Sequence, residues 1–201
     1  MRKHFLPLMV GLFVTLGITQ AFANGDNYDL PISKEVIQEK IIEYLSSASL
    51  DPYVKSDQNE MRITGVLDPI IDNEQMAAVF LEGDFGSEEK PLKGLIAVHL
   101  VKATNIVQAK LFCLSDSSLI TPKLFFDIVN GPQLSLLCPE GMKLLQEKNG
   151  HIFISSDDSH IEEKRVQTWT LFTADESYNV PVTLTNDGKG GNYFTLSMDK
   201  K

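Results

Sequence analysis

From residue 61 to the end of the chain, apolar side chains recur at every second position in one short segment after another: residues 61–67, 76–82, 94–104, 106–114, 151–155, 166–173, 179–185 and 192–198. Alternation of period two puts successive side chains on opposite faces of an extended backbone, so each segment is expected to form a β-strand. A chain with this pattern must build a sheet. The segment 94–104 is apolar on both faces, with Ile96, Val98 and Leu100 on one and Leu95, Ala97 and Val101 on the other. Such a strand belongs at the centre of a sheet covered on both sides, which leaves His99 partly buried.

Two stretches break the period. In KEVIQEKIIEYLSS, residues 34–47, a helical stripe of Ile37, Ile41, Tyr44 and Leu45 continues to Ala48, and Ser33 stands where an N-cap is needed. Between Cys113 and Cys138, Thr121-Pro122 reads as an N-cap followed by proline at the first helical position, and LFFDIVN ends at Gly131-Pro132. A further short helix is expected from Pro139 through MKLLQEK to Asn149-Gly150, weakened by Gly141. Strands in runs, with helices before and between them rather than in strict alternation, predict an α+β fold. In that fold an N-terminal helix packs on a mainly antiparallel β-sheet, a short helical insertion lies between Cys113 and Cys138, and a β-hairpin closes the C-terminus.

Residues 1–23 stand apart from this pattern. Arg2, Lys3 and His4 precede an apolar run over residues 5–18, and Ala21-Phe22-Ala23 follows. These are the marks of a secretory signal peptide cleaved after Ala23, because the run is shorter than the roughly 20 residues a spanning helix needs. No later apolar run is long enough to cross a bilayer. The expectation is a chain exported to a periplasm or to the extracellular medium. Of its 201 residues 43% are hydrophobic, and no repeat or linker-like tract divides residues 24–201, so a single α+β domain is expected there.

Charge and cysteine content narrow the partners. The formal net charge is −9, from 18 basic and 27 acidic residues, and removing the leader deletes Arg2 and Lys3 but no acid. An acidic surface repels phosphate backbones, so no nucleic-acid partner is expected; a cationic protein or a divalent cation suits it better. Cys113 and Cys138 are expected to pair, as an even number of cysteines in an exported chain ordinarily does. Such a bond would stabilise the fold by roughly 3–4 kcal/mol and leave neither sulfur as a nucleophile.

No hydrolase elbow of the Gly-x-Ser-x-Gly kind, no His-Glu-x-x-His and no Cys-x-x-Cys occurs. The imidazoles available as catalytic bases after the leader are His99, His151 and His160. The densest polar cluster, SSDDSHIEEK at residues 155–164, offers Asp157, Asp158, His160 and Glu162 as ligands for a hard cation such as calcium. Its spacing is not that of an EF-hand: counted from Asp157, Glu162 stands where glycine is required and Thr168 where glutamate is required. A solvated turn is the competing reading, and no other cofactor is expected. Residues 82–91, EGDFGSEEKP, read as a hairpin loop with Phe85 folded back on the core.

The glycine-rich stretch TNDGKGGNY, residues 185–193, resembles a phosphate loop only superficially. A phosphate loop needs a helix directly after its glycines, whereas NYFTLS continues with strand period. If Leu184 faces Phe194, Val182 faces Leu196 and Val180 faces Met198, which implies a hairpin with a connection of about three to five residues.

These features lead to an exported, non-catalytic binding or interaction protein: an inhibitor, an accessory factor or a secreted effector. The alternative is a small exported hydrolase, metal-assisted or not, built from the histidines and the acids of residues 157–163. A third reading, carbohydrate or envelope binding, would use Phe85, Trp169 and Tyr193 as stacking platforms.

Overall fold

The computed structural model describes residues 30–55, 61–85, 92–156, 164–189 and 192–197. The leader and the acidic cluster at 157–163 lie outside the described residues. Among the described residues eight strands form one sheet in which spatial order follows chain order: β1 (Met61–Asp72), β2 (Met76–Phe85), β3 (Leu92–Val101), β4 (Ile106–Ser115), β5 (His151–Ser156), β6 (Lys164–Phe172), β7 (Ser177–Asn186) and β8 (Asn192–Leu196). All neighbours pair antiparallel except β4 and β5, which run parallel. Two four-stranded meanders therefore meet along one parallel seam. A parallel link cannot be made by a tight turn, and the crossover here carries helices α2 (Pro122–Val129), α3 (Pro132–Leu137) and α4 (Pro139–Glu147), while α1 (Lys34–Ser47) precedes β1.

This architecture corrects the expected fold. The molecule is dominated by a large mixed sheet, with 49% strand against 25% helix among the described residues, rather than organised by an N-terminal helix on a mainly antiparallel sheet. Two helices lie between the two cysteines and a third begins at Pro139, as expected, while Gly131-Pro132, read as a stop, also opens the second of them. Period-two alternation identifies strands but carries no record of which strands pair or in which direction, so the seam was invisible to it. Strand ends also move. β1 continues to Asp72 through a register break between Leu67 and Ile71, where Pro69 has no N–H to contribute to a ladder. β3 stops at Val101, and the turn that follows holds Asn105 at φ 53°.

The helices form where their caps are best. Ser33 accepts from the Val36 N–H at 3.4 Å to open α1, and Thr121 accepts from Leu124 at 3.3 Å to open α2. Each crossover helix starts on a proline, Pro122, Pro132 or Pro139, whose absent N–H is one no helix start requires. The sheet has an apolar layer on each face. On one, Ile37, Ile41 and Leu45 of α1 join Val79, Leu81, Ile96, Val98 and Phe172. On the other, Phe125, Ile128, Leu134 and Met142 of the crossover helices join Phe80, Leu95, Ala97, Trp169, Leu171 and Val182. Phe85 is turned into the first of these layers.

The structure does not contain the expected Cys113–Cys138 bond. Both residues are buried free thiols in the second apolar layer. A protonated thiol packs as a small apolar group, and burial pushes the Cys113 thiol up to about 12, which keeps it in that form. The Cys138 sulfur packs over Gly141, where an added Cβ would lie only 2.6 Å away.

Candidate binding cleft

The seam between the two meanders is short. β4 pairs with β5 only through Cys113 opposite Ile152, Leu114 opposite Phe153 and Ser115 opposite Ile154, although β4 begins seven residues before the first of these, at Ile106. Below the seam β4 runs alone on that side. A cavity of about 640 Å³ opens there, walled by the C-terminal half of α1, by residues 107–110 of β4, by the turn from α4 into β5 and by the turn between β6 and β7.

Local sequence dictates why β5 starts so late. Asn149 takes a left-handed φ of 52° and the Gly150 N–H donates to the Leu144 carbonyl at 3.2 Å, which closes α4. Gly150 is pressed against that helix: a Cβ would lie 2.0 Å from Leu144 Cδ2 and 3.0 Å from the Leu144 oxygen. The turn hands the chain directly to His151, the first residue of β5, on the cleft floor.

His151 is only 5% exposed, and its Nδ1 is buried without a hydrogen-bond partner. Phe172 packs beside the ring at 5.8 Å between centroids. Burial lowers its pKa to about 4; the Leu111 backbone opposes that effect and the nearby Lys110 charge adds to it. The imidazole is therefore neutral near pH 7. Across the floor, burial pushes the Tyr44 phenol upward, with the same Leu111 backbone opposing. Tyr44 and His151 thus flank one point of the β4 main chain.

The rim is charged but largely self-neutralised. Lys40 pairs with Glu43 at 2.6 Å and with Glu39 at 3.3 Å, and Lys148 pairs with Glu176 across the mouth. Lys110 has no ion pair among the described residues; its Nζ lies 6.0 Å from the centre of the Phe112 ring. Asp175, at the far lip, is exposed.

Of the three candidate histidines, His99 and His151 line this one cavity from different strands, β3 and β5. His160 lies outside the described residues, as do Asp157, Asp158 and Glu162. Among the described residues no three His, Cys, Asp or Glu side chains converge closely enough to hold a metal ion. The aromatic platforms separate as well: Phe85 and Trp169 are core residues, the indole stacked 5.6 Å from Phe125 and donating to Gln167 Oε1 at 3.1 Å, while Tyr193 is 69% exposed. Phe85 and Trp169 cannot serve as stacking platforms.

Sequence reading missed Tyr44 and Lys110. Helical spacing places Tyr44 in the apolar stripe of α1, and nothing in the pattern around Lys110 distinguishes it from a solvated strand residue. The signal that was available is Asn149-Gly150, a helix stop placed directly before a histidine. Among the described residues no helix is long and apolar enough to cross a membrane. Comparison with protein-family models, with curated proteins and with solved structures gives no match.

Proposed function

We propose that this chain is an exported, non-catalytic binding protein and that its ligand occupies the cleft beneath the seam. The observation that carries this reading is the 640 Å³ cavity itself, lined by His99 and His151 from two different strands beside the unpaired stretch of β4. The volume falls in the range of small-molecule and peptide sites. Export rests on the pattern of residues 1–23.

Chemistry favours binding over catalysis at this point. An efficient general base has a pKa near the working pH, whereas an imidazole held neutral down to about pH 4 is a weak base. What it offers is one hydrogen bond from a fixed, neutral ring. A hydrolase built on His151 would need a group that raises its basicity, and the nearest charge that acts on it, Lys110, lowers it.

The test uses the two imidazoles as reporters. Fractions of culture medium or periplasmic extract are screened for a rise in melting temperature, since a ligand selective for the folded state must stabilise it. Fractions that do so should shift the His99 and His151 ring resonances together. Stabilising fractions that leave both rings unmoved would place the ligand elsewhere, and steady consumption of the bound compound would make the protein an enzyme.

A further inference from the structure

Resting on the cleft as the binding site, the geometry points to its occupant: an extended peptide segment that adds to the open edge of β4 in line with β5 and places a carboxylate against Lys110. β4 is laddered to β3 from Ile106 to Ser115 on one side, but on the other it meets β5 only at residues 113–115. In an antiparallel ladder the backbone N–H and C=O of every second residue point away from the paired neighbour. The Leu111 backbone faces Tyr44 and His151 on the cleft side, which fixes the parity. The outward-pointing groups are then those of Leu111, Ala109 and Val107. Side chains of the protein stand against the first, while Ala109 and Val107 line the cavity.

A row of N–H and C=O groups repeating every two residues is matched by one kind of ligand, another extended backbone. Proteins ordinarily blunt such an edge with charge, proline or a covering element, because it invites pairing. Here the edge lies inside the sheet instead of on its rim. α1 covers one side, its Tyr44 and Ala48 lining the cavity together with Val107 and Ala109, and the Asn149-Gly150 turn stands at the end. A whole second sheet is kept out, whereas a single strand fits. Residues 106–111 offer roughly 20 Å of edge at about 3.4 Å per residue, enough for a segment of about four to six residues. At the inner end it meets the His151 side chain, which lines the cavity. Lys110, without an ion pair among the described residues, selects for an acidic residue in that segment.

A library of displayed random linear heptapeptides, selected against the whole protein, tests this directly. The expected winners carry alternating β-branched residues and at least one acid, and their binding slows amide exchange at Val107 and Ala109. Ala109→Pro removes one outward N–H at an edge position that proline tolerates, and should weaken binding by about tenfold. Ala109→Val keeps the N–H and should bind within about threefold, so a packing effect is told apart from a hydrogen bond. Lys110→Gln should weaken acidic peptides and flatten their salt dependence. If Ala109→Pro fails to fold, the exchange pattern of the unmodified protein decides alone. Failure to enrich any peptide, equal affinity for Ala109→Pro, or protection confined to other strands overturns the proposal. A small molecule that shifts both imidazoles without slowing exchange at Val107 and Ala109 would leave the cleft as the site and remove the strand from it.

Discussion

Acidification should destabilise the protein through His151, well above the range in which its carboxylates protonate. The folded imidazole has a pKa lowered from 6.5 to about 4, chiefly by burial. In the unfolded chain the same ring titrates at the ordinary value. As pH falls through 6.5 the unfolded state takes up a proton that the folded state refuses, so the stability present above that pH drains away until about pH 4. Taken as a difference of 2.5 units, the full effect is about 3 kcal/mol, and about 2 kcal/mol of it falls between roughly pH 7.5 and pH 5. Asp84 does not confuse this window. Burial raises its carboxyl, but hydrogen bonds and charge from Lys93 and Arg62 outweigh that and leave it below the usual value, so its contribution is lost only at lower pH. The assay is urea unfolding of the natural protein and of His151→Leu at several pH values in this range. The natural protein should lose about 2 kcal/mol relative to the variant on going to pH 5. His151→Leu also removes the unpaired Nδ1, so at pH 7.5 it should be no less stable than the natural protein. Parallel pH profiles for the two proteins would refute the burial of a neutral imidazole on the cleft floor.

Other parts of the structure lend themselves to simpler perturbations. Gly150→Ala would place a methyl group against Leu144 and should cost about 1–3 kcal/mol in a thermal melt, while also disturbing the His151 ring resonance. Phe85→Ala empties a fully buried site and should cost about 3–5 kcal/mol; a loss below 1 kcal/mol would put the ring outside the core. Thr121→Ala removes the cap of α2 and should cost about 1 kcal/mol, read as a shift in denaturation midpoint. Cys113 should resist alkylation in the folded protein, and mass spectrometry after denaturation without reductant should find both cysteines alkylated; a protein that needs reduction first carries the disulfide that the structure lacks.

The unequal legibility of the sequence has a physical cause. Residues 34–47 and the helices opening at Pro122 and Pro139 are local: caps, stops and periodicity lie within one turn of the residues they govern, and the sequence displays them, whereas Gly131-Pro132, read as a stop, also opens α3. The register of β7 on β8 is nearly as local. Leu184 opposite Phe194 and Val182 opposite Leu196 follow from apolar alternation across one short connection. The β4–β5 seam is different in kind. It pairs residues 113–115 with 152–154, across about 39 positions, and it is three residues long, too short to leave a pattern of its own. Apolar patterning at Cys113 and Ile152 serves burial equally well whether these strands are neighbours or not. The cysteines are ambiguous for the same reason: a pair of buried sulfurs and a disulfide place identical demands on composition, and only their surroundings distinguish them.

The cleft inherits this difficulty, because it is defined by where pairing stops. Its floor combines Tyr44 from a helix, residues 107–110 of β4 and His151 from a strand that begins late. None of the three carries a motif. His99 and His151 were candidates only as imidazoles, and the seam is what brings both to one cavity. It also decides what they can do. Had β5 extended back by five or six residues, the edge of β4 would be covered and His151 would be an ordinary interior residue with a main-chain partner. Lengthening that strand is therefore the structural change that would abolish the site while improving the sheet. The stop at Asn149-Gly150 prevents it, and a variant that permitted the longer strand should gain stability and lose its ligand.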